Sequence, residues 1–306
     1  LDLALGGGWV LGRVSNVVGD KSTGKTLLAI EACNNFVRTY PGGRAKYRES
    51  EAAFDQPYAG AIGMPLDRVD FGDPDDPFET VEQLQDEVDA FTARCEREDV
   101  PGLFVCDSLD ALSSASEKAD KDAYGTAKPR VMSELFRKLV RRVERSRVHL
   151  MIISQVRDDI GAMFGNGLKR SGGHALDFYA THVVWLTHLK TLTAERRGVR
   201  RATGIRIKAK VDKNKVAMPK RDCEFDIIFG FGIDDILASL DWIRQIKRWK
   251  DIGIPSEEKL KDYMKDTLAL SGSDYLRRAS EIGAQVQAVW MSVERDFLPD
   301  RSKYGG

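Results

Sequence analysis

Between Gly19 and Thr26 the chain reads G-D-K-S-T-G-K-T, preceded by two valines and followed by L-L-A-I-E-A-C. The spacing G-x-x-x-x-G-K-[ST] between a strand and a helix describes a phosphate-binding loop. Gly19 and Gly24 let the backbone N–H groups across Asp20, Lys21, Ser22 and Thr23 face phosphate oxygens, and the following helix N-terminus adds its dipole. Lys25 then neutralises the β- and γ-phosphates, while the Thr26 hydroxyl offers a ligand to magnesium. The chemistry expected here is binding of a nucleoside triphosphate with Mg2+.

Such a site needs further groups from neighbouring parallel strands. The run G-L-F-V-C-D-S ends in Asp107, followed by Ser108, where a second magnesium-shell carboxylate belongs. Hydrolysis also needs a group that orients or deprotonates water, and K-Y-R-E-S-E supplies Glu49 and Glu51 at a strand's carboxyl end. Period-two alternation puts both on one side, so either can serve.

The elements that would hold these residues follow from periodicity. Apolar runs at 14–18, 103–106 and 149–154 alternate with helical patterns at 27–37, 78–97 and 131–143. Continuous apolar strands alternating with helices imply a mostly parallel sheet flanked by helices, an α/β fold. Two stretches lack either period, S-S-A-S-E-K-A-D-K-D-A-Y-G-T from Ser113 and G-A-M-F-G-N-G-L-K-R-S-G-G from Gly161, and read as mobile loops. After Val183 alternation predicts antiparallel strands at the sheet edge. Beyond Asp235 the chain reads as helical, with helix starts at Pro255-Ser256 and Ser273-Asp274. This divides it into a core at 1–235 and a small helical C-terminal domain at 236–306.

Forty-seven basic residues balance forty-seven acidic ones, so net charge points to no partner. The distribution is uneven. Carboxylates dominate from Asp67 to Asp99, which reads as a solvated helix face, whereas Arg196 to Arg221 is basic with only Asp212 opposing it. Arg48, inside an expected core strand, has no account from sequence. Four dispersed cysteines and four dispersed histidines suggest neither a disulfide framework nor a zinc site, and a reducing cytoplasm is expected. No apolar run reaches the roughly 20 residues of a membrane span.

Together with S-E-A-A-F-D-Q-P-Y, V-C-D-S-L-D-A-L, I-I-S-Q-V-R-D-D-I-G-A-M-F-G-N, S-G-G-H-A-L-D-F-Y-A and K-N-K-V-A-M-P, these residues resemble the RecA family of homologous recombinases, as a phage or otherwise divergent member. The order and spacing of the pieces carry the resemblance, which extends to F-G-F-G-I near Ile233. It implies a RecA-type ATPase core using ATP and Mg2+, with Glu51 activating water. It also implies Asp55 and Tyr58 at the adenine, and Gln155 sensing the γ-phosphate. Two DNA-binding loops are implied at about 113–129 and 157–173, with Arg130, Arg157, Met163, Phe164, Gly165, Asn166, Lys169, Arg170, Ser171, Gly172 and Gly173 as candidates. Lys213 and Lys215 of K-N-K would reach a neighbouring subunit's triphosphate in a head-to-tail helical filament. Asp158 and Asp159 depart from the family's basic character after Gln155 and weaken the channel's positive field. The family's N-terminal polymerisation helix would lie before Leu1.

The function expected is an ATP-dependent recombinase that forms filaments on single-stranded DNA and exchanges strands with homologous duplex. It would work in the cytoplasm, that of a bacterial host if phage-encoded, without a membrane partner. A hexameric helicase-type motor shares the phosphate loop, Asp107 and Glu51. A passive ATP-binding coat on single strands is a reading from another class, and a kinase lacks any legible acceptor pocket. Unwinding without homology marks the helicase, and hydrolysis that DNA does not stimulate marks the coat.

Overall fold

A computed structural model describes residues 1–52, 54–115, 127–158, 168–170 and 173–300; of residues 127–130, 157–158, 168–170 and 173–175 it describes the backbone alone. The chain divides into two compact units. The first comprises Leu1–Asp222 with Ile227–Ile233, and the second Cys223–Asp226 with the segment from Asp234 onward.

In the first unit, strands β1 (Val14–Gly19), β2 (Arg44–Glu49), β3 (Val69–Asp70), β4 (Gly102–Asp107) and β5 (Val148–Asp158) form the parallel centre of a sheet. Strands β7 (His182–Arg196), β8 (Val199–Asn214), β9 (Asp222–Ile228) and β10 (Gly232–Ile233) extend it, and β6 (Leu168–Arg170) pairs with β5. The order is β10-β9-β8-β7-β1-β5-β4-β2-β3. Antiparallel pairing at β7–β8 and β9–β10 agrees with the alternation in the sequence. Every residue of β1 and β4 is buried, as expected of strands covered on both faces.

Helices α1 (Asp2–Leu5), α2 (Lys25–Thr39), α3 (Gln56–Ala61), α4 (Val81–Glu98), α5 (Ala127–Arg145) and α6 (Gly173–Tyr179) complete this unit. The acidic helix α4 starts at a capping box, Thr80 with Gln83. It buries Val81, Leu84, Val88, Phe91 and Cys95 at three- and four-residue spacing against a core that includes Phe104, Phe136 and Leu139.

That helix also explains Arg48. Glu87 of α4 takes Arg48 Nε at 2.9 Å and Lys46 Nζ at 2.9 Å. The rest of the Arg48 guanidinium donates to the carbonyls of Phe71 (2.9 Å) and Asp76 (3.0 Å) and lies over the Phe78 ring. Gly72, at φ +80°, is a glycine because its Cβ would stand 1.8 Å from that guanidinium. The acidic face is therefore solvated only in part.

The loop from Ser113 is also tied at its start. Ser113 exchanges backbone hydrogen bonds with Glu79 and Val81, and Ser114 is buried, so these two residues are held in place; residues 116–126 lie outside the described residues. At its other end, α5 begins at Ala127, directly after the stretch read as mobile and within the range of about 113–129 expected for the first DNA-binding loop.

Near the amino end of β1, His149 and His182 are buried beside Trp9, each with its ring centroid 5.8 Å from it. His149 Nδ1 donates to the Val10 carbonyl at 2.8 Å, and His182 Nδ1 meets Ser15 Oγ at 3.1 Å. Burial pushes both imidazoles down to about 4. The unfolded chain, with histidines near pH ~6.5, binds more protons below that value, so stability falls as pH drops from there towards about 4. The loss is on the order of 3 kcal/mol per imidazole when complete. Urea titrations at about pH 7 and about pH 5 are expected to show a lower midpoint in acid, reduced in a His149→Gln, His182→Gln chain. Equal acid sensitivity in the two chains would assign the effect elsewhere.

The second unit holds α7 (Asp235–Gln245), α8 (Glu257–Leu268) and α9 (Gly272–Asp296) around Leu240, Ile243, Leu260, Ile282, Val286 and Val289, with Trp242 and Trp290 5.0 Å apart. Ser256 caps α8 through its side chain as expected. Helix α9 starts at Gly272, and its N-cap is Ser271, two residues before the expected Ser273; the Ser271 side chain makes no capping bond. Lys259 and Lys261 of α8 pair with Asp262 and Glu257 of the same helix, which fits a solvated face. No helix among the described residues is long and apolar enough to cross a membrane.

Candidate nucleotide site

Strand register assembles the site. Gly19 pairs with Gln155 and Glu49 with Asp107, and the order β1-β5-β4-β2 lines these positions along one carboxyl edge. The loop Gly19–Thr26 closes over that edge into α2. Gly24 adopts φ +82°, and a Cβ there would lie 2.3 Å from Ile227 Cδ1, so backbone and packing both demand glycine.

Within the loop, Thr23 Oγ1 and Lys25 Nζ both donate to the Asp20 carbonyl, at 2.8 and 2.7 Å, and Asp20 Oδ1 accepts from the Lys21 N–H. Ser22 sits at φ +58°. Burial lowers the Lys25 pKa, opposed by the charges of Asp107, Asp20, Glu51 and Asp110.

Thr26 Oγ1 donates to Asp107 Oδ2 at 2.8 Å. A hydroxyl that donates to a carboxylate keeps its lone pairs for a cation, so the pair suits Mg2+, which takes one or two protein oxygens and completes its shell from phosphate and water. No cluster of three or more His, Cys, Asp or Glu among the described residues offers an all-protein metal cage. The buried Asp107 has its pKa raised by desolvation, offset by hydrogen bonds from Tyr47 and Thr26.

The two glutamates left open by sequence are distinct in space. Strand β2 stops at Glu49, whose Oε1 accepts the Glu51 backbone N–H at 2.7 Å. Glu51 instead turns its carboxylate to Gln155, whose Nε2 donates at 2.6 Å, and to the Ser108 hydroxyl. Ser50 fastens this corner: its N–H donates to the Asp107 carbonyl, and its hydroxyl donates to the Ser108 carbonyl and accepts the Ser108 N–H. The Asp107–Ser108 peptide bond is cis.

Gln155 lies within its strand. Strand β5 continues to Asp158, and β6 folds back on it with Val156 opposite Arg170 and Arg157 opposite Lys169. Asp110 Oδ2 accepts the Gln155 N–H at 2.6 Å, fixing the residue from which this ribbon leaves the sheet. Sequence reading missed Asp110, Ser50 and Tyr47. The signal for Asp110 was in view, a second aspartate three residues after Asp107 in V-C-D-S-L-D.

Asp55 caps α3, its Oδ1 accepting the Tyr58 N–H at 2.9 Å, and the Tyr58 side chain is exposed. Lys213 Nζ donates to the carbonyls of Asp177 and, at 2.9 Å, Phe178; Lys215 Nζ donates to Phe178 at 3.2 Å. Both lysines therefore close the carboxyl end of α6. Burial and the neighbouring Lys215 charge push Lys213 down to about 8.

Of the residues expected at DNA, Met163, Phe164, Gly165, Asn166, Ser171 and Gly172 lie outside the described residues, and Arg130, Arg157, Lys169, Arg170 and Gly173 are described in backbone only, in α5, β5, β6 and α6. The basic stretch after Arg196 lies on the β7–β8 hairpin, where Arg196, Arg197, Arg200 and Arg201 are exposed. It is opposed by more than Asp212, since Asp222 pairs with Lys208 at 2.8 Å.

Residues 1–234 match the family model described as the RecA N-terminal domain. The chain is 35% identical over 314 residues to Protein RecA of Arthrospira platensis, covering 98% of this chain and 82% of that protein. To Protein RecA of Gloeobacter violaceus it is 34% identical over 301 residues, 96% of this chain and 75% of the other. To Protein RecA of Synechococcus sp. strain CC9902 it is 37% identical over 243 residues, 79% of this chain but only 61% of that relative's length.

Proposed function

The chain belongs to the RecA family of ATP-dependent DNA recombinases, and from that premise we propose that it polymerises on single-stranded DNA as a helical filament and exchanges strands with a homologous duplex. The observation that carries this reading is the 2.6 Å contact of Gln155 with Glu51. It joins the group suited to activate water to the strand that runs into the second loop, so that nucleotide state and loop geometry form one unit.

In this mechanism Gly19–Thr26 cradles the triphosphate, Lys25 leaves the Asp20 carbonyl for phosphate oxygens, and Asp55 and Tyr58 border the adenine. Thr26 and Asp107, beside Ser108, would hold Mg2+, which would supply charge neutralisation at the phosphates. Glu51 orients water and accepts its proton, and Gln155 reports the γ-phosphate to the loop. Lys213 and Lys215 complete a neighbour's site. The loops at 113–129 and 157–173 contact DNA in a core domain at 1–235, with residues 236–306 a separate domain, and the protein acts in the cytoplasm.

Negative-stain imaging with single-stranded DNA and a non-hydrolysable ATP analogue tests the assembly. A helical filament is expected, and a hexameric ring would replace the recombinase with a helicase-type motor. Lys169→Ala and Arg170→Ala are expected to weaken single-strand binding for all sequences alike, reducing the salt slope by about 0.7 per lost contact. A slope unchanged in both variants would remove these residues from the DNA path.

A further inference from the structure

We propose that Tyr47 is a positioning residue for the cation-binding carboxylate: its hydroxyl, bonded to Asp107 Oδ2 beside Thr26, sets the carboxylate plane so that Oδ1 faces the magnesium shell. The inference rests on the ATPase reading above.

Tyr47 is fully buried, and its hydroxyl donates to Asp107 Oδ2 at 2.5 Å. A buried tyrosine hydroxyl needs a partner, and this distance belongs to the charge-assisted class of O–H···O⁻ bonds. Register makes the contact: Tyr47 lies opposite Val105, two residues before Asp107 on the neighbouring strand. The ring is held by Phe54 at 4.5 Å and Phe71 at 6.2 Å between centroids, which fixes where the hydroxyl stands.

Thr26 donates to the same Oδ2 at 2.8 Å. A carboxylate oxygen carries two lone pairs, and two donors occupy both. Asp107 Oδ1 has no hydrogen bond among the described residues and is the oxygen left for the water shell of a cation. Phenylalanine would fill the same volume without burying a hydroxyl. Removing the hydroxyl would free one lone pair of Oδ2 and let the carboxylate turn about its last torsion, loosening the acceptor against which Thr26 is oriented.

The test is a Mg2+ titration of the full chain binding a fluorescent, non-hydrolysable ATP analogue, in wild type and Tyr47→Phe. The half-saturating Mg2+ concentration is expected to rise about tenfold in the variant, the lower end of what outer-sphere partners of a metal site are worth. Binding of the analogue without Mg2+ is expected to be unchanged. In an Asp107→Asn background, Tyr47→Phe is expected to add no further shift. An unchanged Mg2+ requirement would overturn the inference, as would an equal loss of binding with and without Mg2+, which is the mark of a packing role. A wild-type chain whose binding ignores Mg2+ would overturn the ATPase reading, and this inference with it.

Discussion

Glu51→Gln is expected to leave ATP binding intact while cutting hydrolysis by about 10²–10⁴-fold, the range typical of losing a general base. The amide keeps an oxygen to accept from Ser108 and Gln155, the two partners of the native carboxylate, so the corner between β2 and β4 should stay assembled. What is lost is basicity. Lys25→Ala differs in kind, because it removes the charge that meets the phosphates, and it should weaken binding as well as stop turnover. Nucleotide-binding titrations beside single-turnover hydrolysis separate the two. Filaments of Glu51→Gln on DNA should persist where hydrolysis is what drives their release. If Glu51→Gln hydrolyses at the wild-type rate, the role passes to Glu49, whose Oε1 holds the Glu51 N–H at 2.7 Å.

Strand periodicity left the two glutamates equivalent until the resemblance favoured Glu51, and the reason is physical. Period-two alternation holds only while a strand lasts, and β2 ends at Glu49. Beyond it the chain turns, so which glutamate faces the site depends on contacts with Ser108 and Gln155, residues 57 and 104 positions away. The phosphate loop was legible because all its parts lie within eight residues, and the parallel core because strands covered on both faces are apolar throughout. Arg48 resisted reading for the opposite reason. Its charge is answered by Glu87 from a helix 39 residues further along the chain, and its path is opened by Gly72. Tyr47 stood within the quoted K-Y-R-E-S-E, but an aromatic in a core strand looks like packing until its hydroxyl is seen on Asp107.

The lysine pair carries the second large effect. Lys213→Ala, Lys215→Ala is expected to bind ATP through its own Gly19–Thr26 loop yet lose DNA-stimulated hydrolysis by about 10³-fold or more, the scale of a charge supplied in trans at the transferring phosphate. Within one subunit the two ammonium groups bond the carbonyls of Asp177 and Phe178 at the end of α6. Reaching a neighbour requires exchanging those carbonyls for phosphate oxygens, so assembly and the helix that follows the second loop should respond together. Mixing distinguishes this from a local packing role. Combined with Glu51→Gln subunits, the double-lysine variant should regain part of its activity at junctions where an intact Glu51 site meets an intact lysine pair, a site neither parent builds alone. Activity should peak at intermediate ratios and vanish at both ends. Mixed filaments that form but stay inactive at every ratio would end the shared-site mechanism and leave Lys213 and Lys215 as a cap on α6.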